Sequence, residues 1–477
     1  MNSPTKITAP SRRKFLGQCC AAVGATGMLS ALSQLRLIGA AASPANGPVV
    51  TRATASTIPA DFKALVCLFL AGGNDANNLV IPVDSAGYRA YATGRGALAL
   101  PANSVLAVTP KSSDGHTYGL HPAMTELQAL FGEGKFAVLS NVGTLVAPTT
   151  KTQYSARSVP LPPQLFSHSD QQVQWQSSVP DQTFSTGWGG RLADLTNAFN
   201  ANNAVSMSMT LDGDNSFQVG KNVVQFAINP GGAIVLTGTG TAANSIRAQA
   251  MNDLMAAPNA NLLKSAFGGL TRSAIANSES ISGFLTGPAP FATAFPASNL
   301  GQQLRTIARL IAAAPQLNLK RQVFFARMGG FDLHNGQIDT ADSTIGAHAN
   351  LLRDVSQSLG AFYAATVELG CADQVTAFTA SDFGRTFSTN GDGSDHGWGS
   401  HHFVVGGAVK GGDIYGRMPE WSVNGPDDTG YGRWIPTTSV DEYSATLASW
   451  FGVSATNLPL VLPNIGRFAK PNLGFFG

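Results

Sequence analysis

Four runs along the chain are apolar at nearly every position: Leu65-Val66-Cys67-Leu68-Phe69-Leu70, Phe136-Ala137-Val138-Leu139, Val323-Phe324-Phe325-Ala326 and Val375-Thr376-Ala377-Phe378-Thr379. A strand with one wet face would alternate. Short runs that do not alternate predict strands buried on both faces, in a sheet covered by helices above and below. A fifth run, Phe403-Val404-Val405, stops at Gly406-Gly407. Between the runs the apolar spacing turns helical, over Thr125 to Phe131, in the stripe Leu304, Ile307, Ala308, Leu310 and Ile311, and over Ile345 to Leu369. Residues 204–240 mix β-type runs such as Ala233-Ile234-Val235-Leu236 with turns, and residues 242–312 read as mostly helical. Alternating strands and helices predict an α/β fold, an α/β/α sandwich with a mostly parallel central sheet and β-rich and helical insertions at about 200–300.

Ligands of such sheets gather beyond the carboxyl ends of the strands, so the residues that follow each run matter most. Asp75 follows the first run through Gly72-Gly73-Asn74, and Asp332 and His334 follow the third through Gly329-Gly330. Asp382 closes the Val375 run, and His396 lies in Asp395-His396-Gly397-Trp398-Gly399, ahead of Phe403. Each has a plain alternative, since Gly-Asn-Asp is turn chemistry and a lone Asp at a strand end is common. In extended geometry Asp332 and His334 face one side and can meet a single ion. Carboxylates with imidazoles and no thiolate suit zinc, manganese, magnesium or calcium, as one divalent metal ion or two. Phe166-Ser167-His168-Ser169-Asp170 puts two hydroxyls and an imidazole at a predicted helix start, where free backbone N–H groups favour an anion; the alternative is an ordinary Ser or Asp cap. His121 precedes another helix and reads as a capping or packing residue, and Gly94-Arg95-Gly96 reads as a turn.

Residues 1–45 read as a targeting segment, because Ser11-Arg12-Arg13-Lys14-Phe15-Leu16 precedes a mild Ala/Gly-rich apolar run ending in small residues. The expected route is twin-arginine export to the periplasm or beyond, a route taken by folded proteins. Residues 46–62 form an extended leader and 63–477 the domain. No later stretch has the roughly 18 uninterrupted apolar residues of a membrane span. Cys19 and Cys20 fall inside the signal, which leaves Cys67 and Cys371 as two buried thiols rather than a disulfide framework. Charged residues are only 12% of the 477, with a formal net charge of +2 and no basic stripe, which argues against a nucleic-acid partner.

Taken together, the export signal, LVCLFLAGGNDANNLVIP, SHSDQQVQWQ, GGFDLHNGQ, ASDFGRT and DHGWGSHHFVVGGAVKGG resemble a family of uncharacterised, twin-arginine-exported bacterial proteins of the alkaline phosphatase and sulfatase superfamily. The resemblance spans about Lys63 to Gly452. It implies an alkaline-phosphatase-like fold and a metal-dependent hydrolase of small or polymer-borne phosphate or sulfate esters. By position it makes Asp75 and Asp382 ligands of one ion, and Asp332, His334 and His396 ligands of another. It makes Ser167 the nucleophile, with Ser169 left open as the alternative, His168 its neighbour and Arg385 the clamp on the anion. Two departures stand out. Asp382-Phe383 replaces the Asp-His of the phosphatases and removes a nitrogen ligand, and no Cys-x-Pro/Ser-x-Arg segment exists for a formylglycine. A second expectation follows from the missing imidazole: a metal-stabilised envelope binding or assembly protein that has lost turnover.

Overall fold

The structure is a computed structural model that describes residues 57–201, 205–229, 242–258 and 261–477. The signal segment, most of the leader and the run Ala233 to Leu236 lie outside the described residues. In chain order the strands are β1 (Lys63–Leu70), β2 (Val80–Pro82), β3 (Leu106–Val108), β4 (Tyr118–Leu120), β5 (Phe136–Gly143), β6 (Ser208–Thr210), β7 (Phe226–Ala227), β8 (Arg321–Met328), β9 (Val375–Ser381), β10 (Ser400–Gly406), β11 (Asp413–Tyr415) and β12 (Thr438–Ser439). The main sheet runs β11-β5-β10-β9-β1-β8-β6-β7, with β12 also on β5, and β2-β4-β3 form a small antiparallel sheet.

All main-sheet pairings are parallel except those of β10, which runs against both β5 and β9. The fold is therefore mixed α/β with a large, mostly parallel sheet, as the unalternating apolar runs imply. On β1 successive residues enter opposite cores. Ala64, Val66, Leu68 and Leu70 pack with the helices Thr125–Gly132, Asn299–Ala313 and Ala347–Glu368. Leu65, Cys67 and Phe69 pack on the other face with Trp175, Trp188 and the helix Val440–Phe451. Cys67 and Cys371 are free and buried, and burial raises both thiols above their ordinary pKa.

The chain divides into two compact units. The larger, Gly47–Val235 with Ser278–Gly477, holds the sheet and every site residue discussed below. Of the smaller unit, the described part is the helix Ala242–Ala256 and the helix that begins at Leu262. No helix among the described residues is long and apolar enough to cross a membrane.

The helix Val440–Phe451 starts on a capping box in which Ser439 Oγ accepts from Glu442 N–H and Glu442 returns the bond to Ser439 N–H, each at 3.0 Å. Its neighbour Asp441 is buried at 1% exposure, and burial raises its carboxyl to about 8, partly offset by Arg191. The unfolded carboxyl titrates near 3.9, so the fold favours the neutral acid and loses stability as pH rises from about 4 towards about 8. Asp441→Asn should leave the thermal midpoint unchanged below about pH 4 and raise it by several degrees above about pH 8; midpoints followed by circular dichroism across that range check it.

Candidate metal centre

Register brings the site together. Leu70 at the end of β1 lies opposite Met328 of β8 and Ser381 of β9, so the segments that leave these three strands start at one level. β5 runs parallel to β9 and its chain continues past the same edge towards Ser167. The reversal of β10 completes the set, because the loop before Ser400, which carries His396, arrives at that edge as well.

There His168, Asp332 and His396 each present one ligand atom, all within 4.8 Å of one another. His168 Nε2 is 3.0 Å from His396 Nε2, and the Asp332 carboxylate lies 3.5 Å from His168 Nε2 and 3.4 Å from His396 Nε2. His334 flanks the group, its Nε2 at 3.0 Å from both His396 Nε2 and Asp332 Oδ1. These side chains are 24% to 45% exposed, so the group opens to solvent.

The partners of the other ring nitrogens fix the tautomers. His168 Nδ1 is 2.6 Å from Asp382 Oδ2, His334 Nδ1 is 3.1 Å from Asp395 Oδ1, and His396 Nδ1 is 2.7 Å from the Phe166 carbonyl. All three are acceptors, so each neutral imidazole donates through Nδ1 and turns an Nε2 lone pair inward. Lone pairs 3.0 Å apart beside a carboxylate repel one another unless a proton or a cation lies between them. The donor set therefore fits a divalent ion, and the carboxylate behind an imidazole is the usual outer partner of a metal ligand. Burial pushes the His396 imidazole below its ordinary range, keeping it neutral. At Asp332 burial pushes the carboxyl up, but the Arg385 hydrogen bond and charge outweigh it and hold the carboxyl low.

The expected residues are all at this edge or just beneath it, in partly different roles. Asp332, His334 and His396 lie together here. His168, expected as a neighbour of the nucleophile, points its Nε2 into the group. Asp382, expected as a ligand, is fully buried behind His168 and accepts from His168, from Gln172 Nε2 at 2.8 Å and from Gly72 N at 3.1 Å. Asp75, also expected as a ligand, forms a buried ion pair with Arg95 and accepts from Gln337 Nε2 at 2.5 Å and Asn77 Nδ2 at 3.1 Å. Arg385, expected on the anion, is committed to Asp332 Oδ1 at 2.8 Å, Gly72 O at 3.3 Å and Ser394 O. Ser167 starts the helix His168–Ser177 and donates to Asp170 Oδ2 at 2.5 Å, with Ser169 Oγ at 3.3 Å. Phe383 packs its ring 4.7 Å from both His168 and His396.

Sequence reasoning passed over Gln172, Asp395 and the Phe166 carbonyl, which orient ligands, and Arg95, Gln337 and His348, which surround Asp75. His401 and His402 are buried: Asn141 N–H donates to His401 Nδ1 at 3.1 Å, and His402 packs between Trp175 and Tyr443. His121 Nδ1 accepts from Ala123 N–H, a local capping bond. Gly72 has φ +116°, and a Cβ there would collide with the backbone nitrogen of Asp332. That close approach lets one glycine hold Asp382 through its N–H and Arg385 through its carbonyl.

Residues 62–431 match the family model described as a protein of unknown function, DUF1501. The chain belongs to this family. No curated protein matches the sequence. Among solved structures, this DUF1501 chain is similar to Ps i-CgsB, solved in complex with k-i-k-neocarrahexaose, at 11% identity and TM-score 0.35, covering 86% of this chain and 77% of that one. It is also similar to the lipoteichoic acid synthase LtaP from Listeria monocytogenes, at 9% identity and TM-score 0.35, covering 86% and 78%. The PsFucS1 sulfatase from Pseudoalteromonas sp. matches at 11% identity and TM-score 0.35, covering 84% and 69%.

Two variants separate ligand from support. His168→Ala should abolish metal binding with little loss of stability. Asp75→Asn should keep the metal yet cost about 3 kcal/mol, because it leaves Arg95 buried without its partner. Elemental analysis and thermal unfolding of both variants check the pair of outcomes.

Proposed function

We propose that this DUF1501 protein is an exported, metal-dependent hydrolase of phosphate or sulfate esters, small or polymer-borne, that attacks through Ser167. The observation that carries the reading is the convergence of inward-facing nitrogens and one carboxylate at a solvent-open point, with Ser167 next in sequence to a member of the group. His168, Asp332 and His396, with His334 alongside, would hold one divalent ion. Bound there, the ion would supply Lewis acidity to a phosphoryl or sulfuryl oxygen.

The protein's own groups do the rest. Asp382, itself held by Gln172, fixes His168, the Phe166 carbonyl fixes His396, and Arg385 fixes Asp332. Ser167 already donates its hydroxyl hydrogen to Asp170, the pairing of nucleophile and base that covalent catalysis requires. As Ser167 Oγ bonds to phosphorus or sulfur, its proton passes to Asp170, the bond to the ester oxygen breaks, the departing alkoxide takes a proton from water, and Asp170 returns its proton to the solvent. Water then cleaves the seryl ester, releasing the inorganic anion and restoring the hydroxyl.

One observation favours a second reading, the metal-stabilised binding or assembly protein of the envelope. His334 stands where a fourth ligand closes a site, and closed four-ligand sites are structural. Aryl phosphate and aryl sulfate assayed with metal-loaded protein decide between the two. The hydrolase reading expects turnover that a chelator removes, and a Ser167→Ala variant that keeps its metal while kcat falls by about three orders of magnitude or more. Full metal occupancy without turnover selects the binding reading, and turnover untouched by Ser167→Ala removes the serine from the mechanism.

A further inference from the structure

Arg385, the guanidinium expected on the anion, is tied to Asp332, and Arg95 is tied to Asp75, so both are already spent within the protein. A third arginine reaches the same place from a loop after β11. Arg433 Nε donates to the carbonyl of His396 at 2.9 Å, and its guanidinium carbon lies 4.8 Å from the Phe166 ring and 5.5 Å from the Tyr431 ring. Phe166 is the residue whose carbonyl orients His396, so Arg433 touches both members of that pair. Among the described residues no carboxylate pairs with Arg433, and its two terminal Nη groups have no protein acceptor.

The loop that presents it is built to be stiff. The Asp428 carboxylate accepts from the backbone N–H groups of Asn424, Gly430 and Arg433, at 2.7, 2.6 and 3.0 Å. Ser388 N–H donates to the Tyr431 carbonyl at 3.1 Å, which anchors the loop to the segment after β9. Tyr431 holds φ +62° and stays 68% exposed, so its ring is kept at the rim against the guanidinium rather than tucked into a core. Aromatic faces steer a guanidinium plane and leave its edge free, and that edge matches two oxygens of a tetrahedral anion at once.

We propose that Arg433, braced by Phe166 and Tyr431, is the residue that recognises the anionic sulfate or phosphate group of the substrate, in the role that sequence position suggests for Arg385. The assignment rests on the hydrolase reading for its substrate class and on the loop geometry for its residue. It makes the group recognised a tetrahedral oxyanion with two oxygens free to meet the fork, in a phosphate or sulfate ester rather than a carboxylic ester or a neutral glycoside.

The test uses the purified protein, with metal content measured first and inorganic phosphate and inorganic sulfate titrated separately by calorimetry. Arg433→Gln should keep the metal content of the wild type and weaken at least one of the two anions about tenfold or more. Arg433→Lys keeps the charge without the fork and should lose several-fold, and it remains informative where the glutamine variant fails to fold. The anion that weakens identifies the ester class. Equal affinities for both anions in wild type and a folded Arg433 variant overturn the assignment, whatever the metal content. A wild type free of metal that still binds an anion through Arg433 supports it while removing the metal-dependent reading.

Discussion

Everything at the candidate centre depends on level strand ends. The parallel pairing that sets Leu70 against Met328 and Ser381 leaves the chain no freedom over where the next few residues emerge. Slipping either strand by two residues would keep each side chain on its own face, yet move Asp332 or Asp382 by roughly 7 Å. Burial on both faces is what forbids the slip, since every register error would expose a Phe, Leu or Val or bury a gap. The cores above and below the sheet thus act as the ruler for a site to which they contribute no atom.

Around that ruler the polar groups are layered. The exposed imidazoles and Asp332 stand in front, and behind each stands a buried or half-buried partner that leaves it one choice of tautomer or orientation. Gly72 joins two of these partners through its peptide, which makes a residue without a side chain a hinge point of the electrostatics. The buried Asp75–Arg95 pair, with Asn77 and Gln337, extends the same network inward. Removing such a group acts at a distance from the chemistry, through a ligand that tilts rather than one that disappears.

How much of this was legible in the sequence follows from how local each signal is. Unbroken apolar runs report double-sided burial within a handful of residues, so the strands could be read almost to their ends, Val375–Ser381 for Val375 to Thr379 and Ala347–Glu368 for the helix from Ile345. Asp332, His334 and His396 announced themselves through glycine-rich strand ends. His168 did not, because an imidazole after Ser at a helix start resembles capping, and the partner that turns it inward is 214 residues away. Asp75 misled for the complementary reason: Arg95, which neutralises it, sits in what reads as a turn between two glycines but is the buried last residue of the helix Ser85–Arg95. Local pattern identifies which residues reach an edge. Which of them face the centre and which stand behind is decided by partners far off in the chain.

His168 and His396, whose Nε2 atoms lie 3.0 Å apart, come from positions 228 residues apart. An unfolded chain keeps Asp332 and His334 together but holds His168 and His396 far from them, in contrast to short-range zinc motifs that fold around their metal. The sheet must close before His168, Asp332 and His396 can meet. Any ion this group held would therefore be drawn from the compartment in which the chain folds.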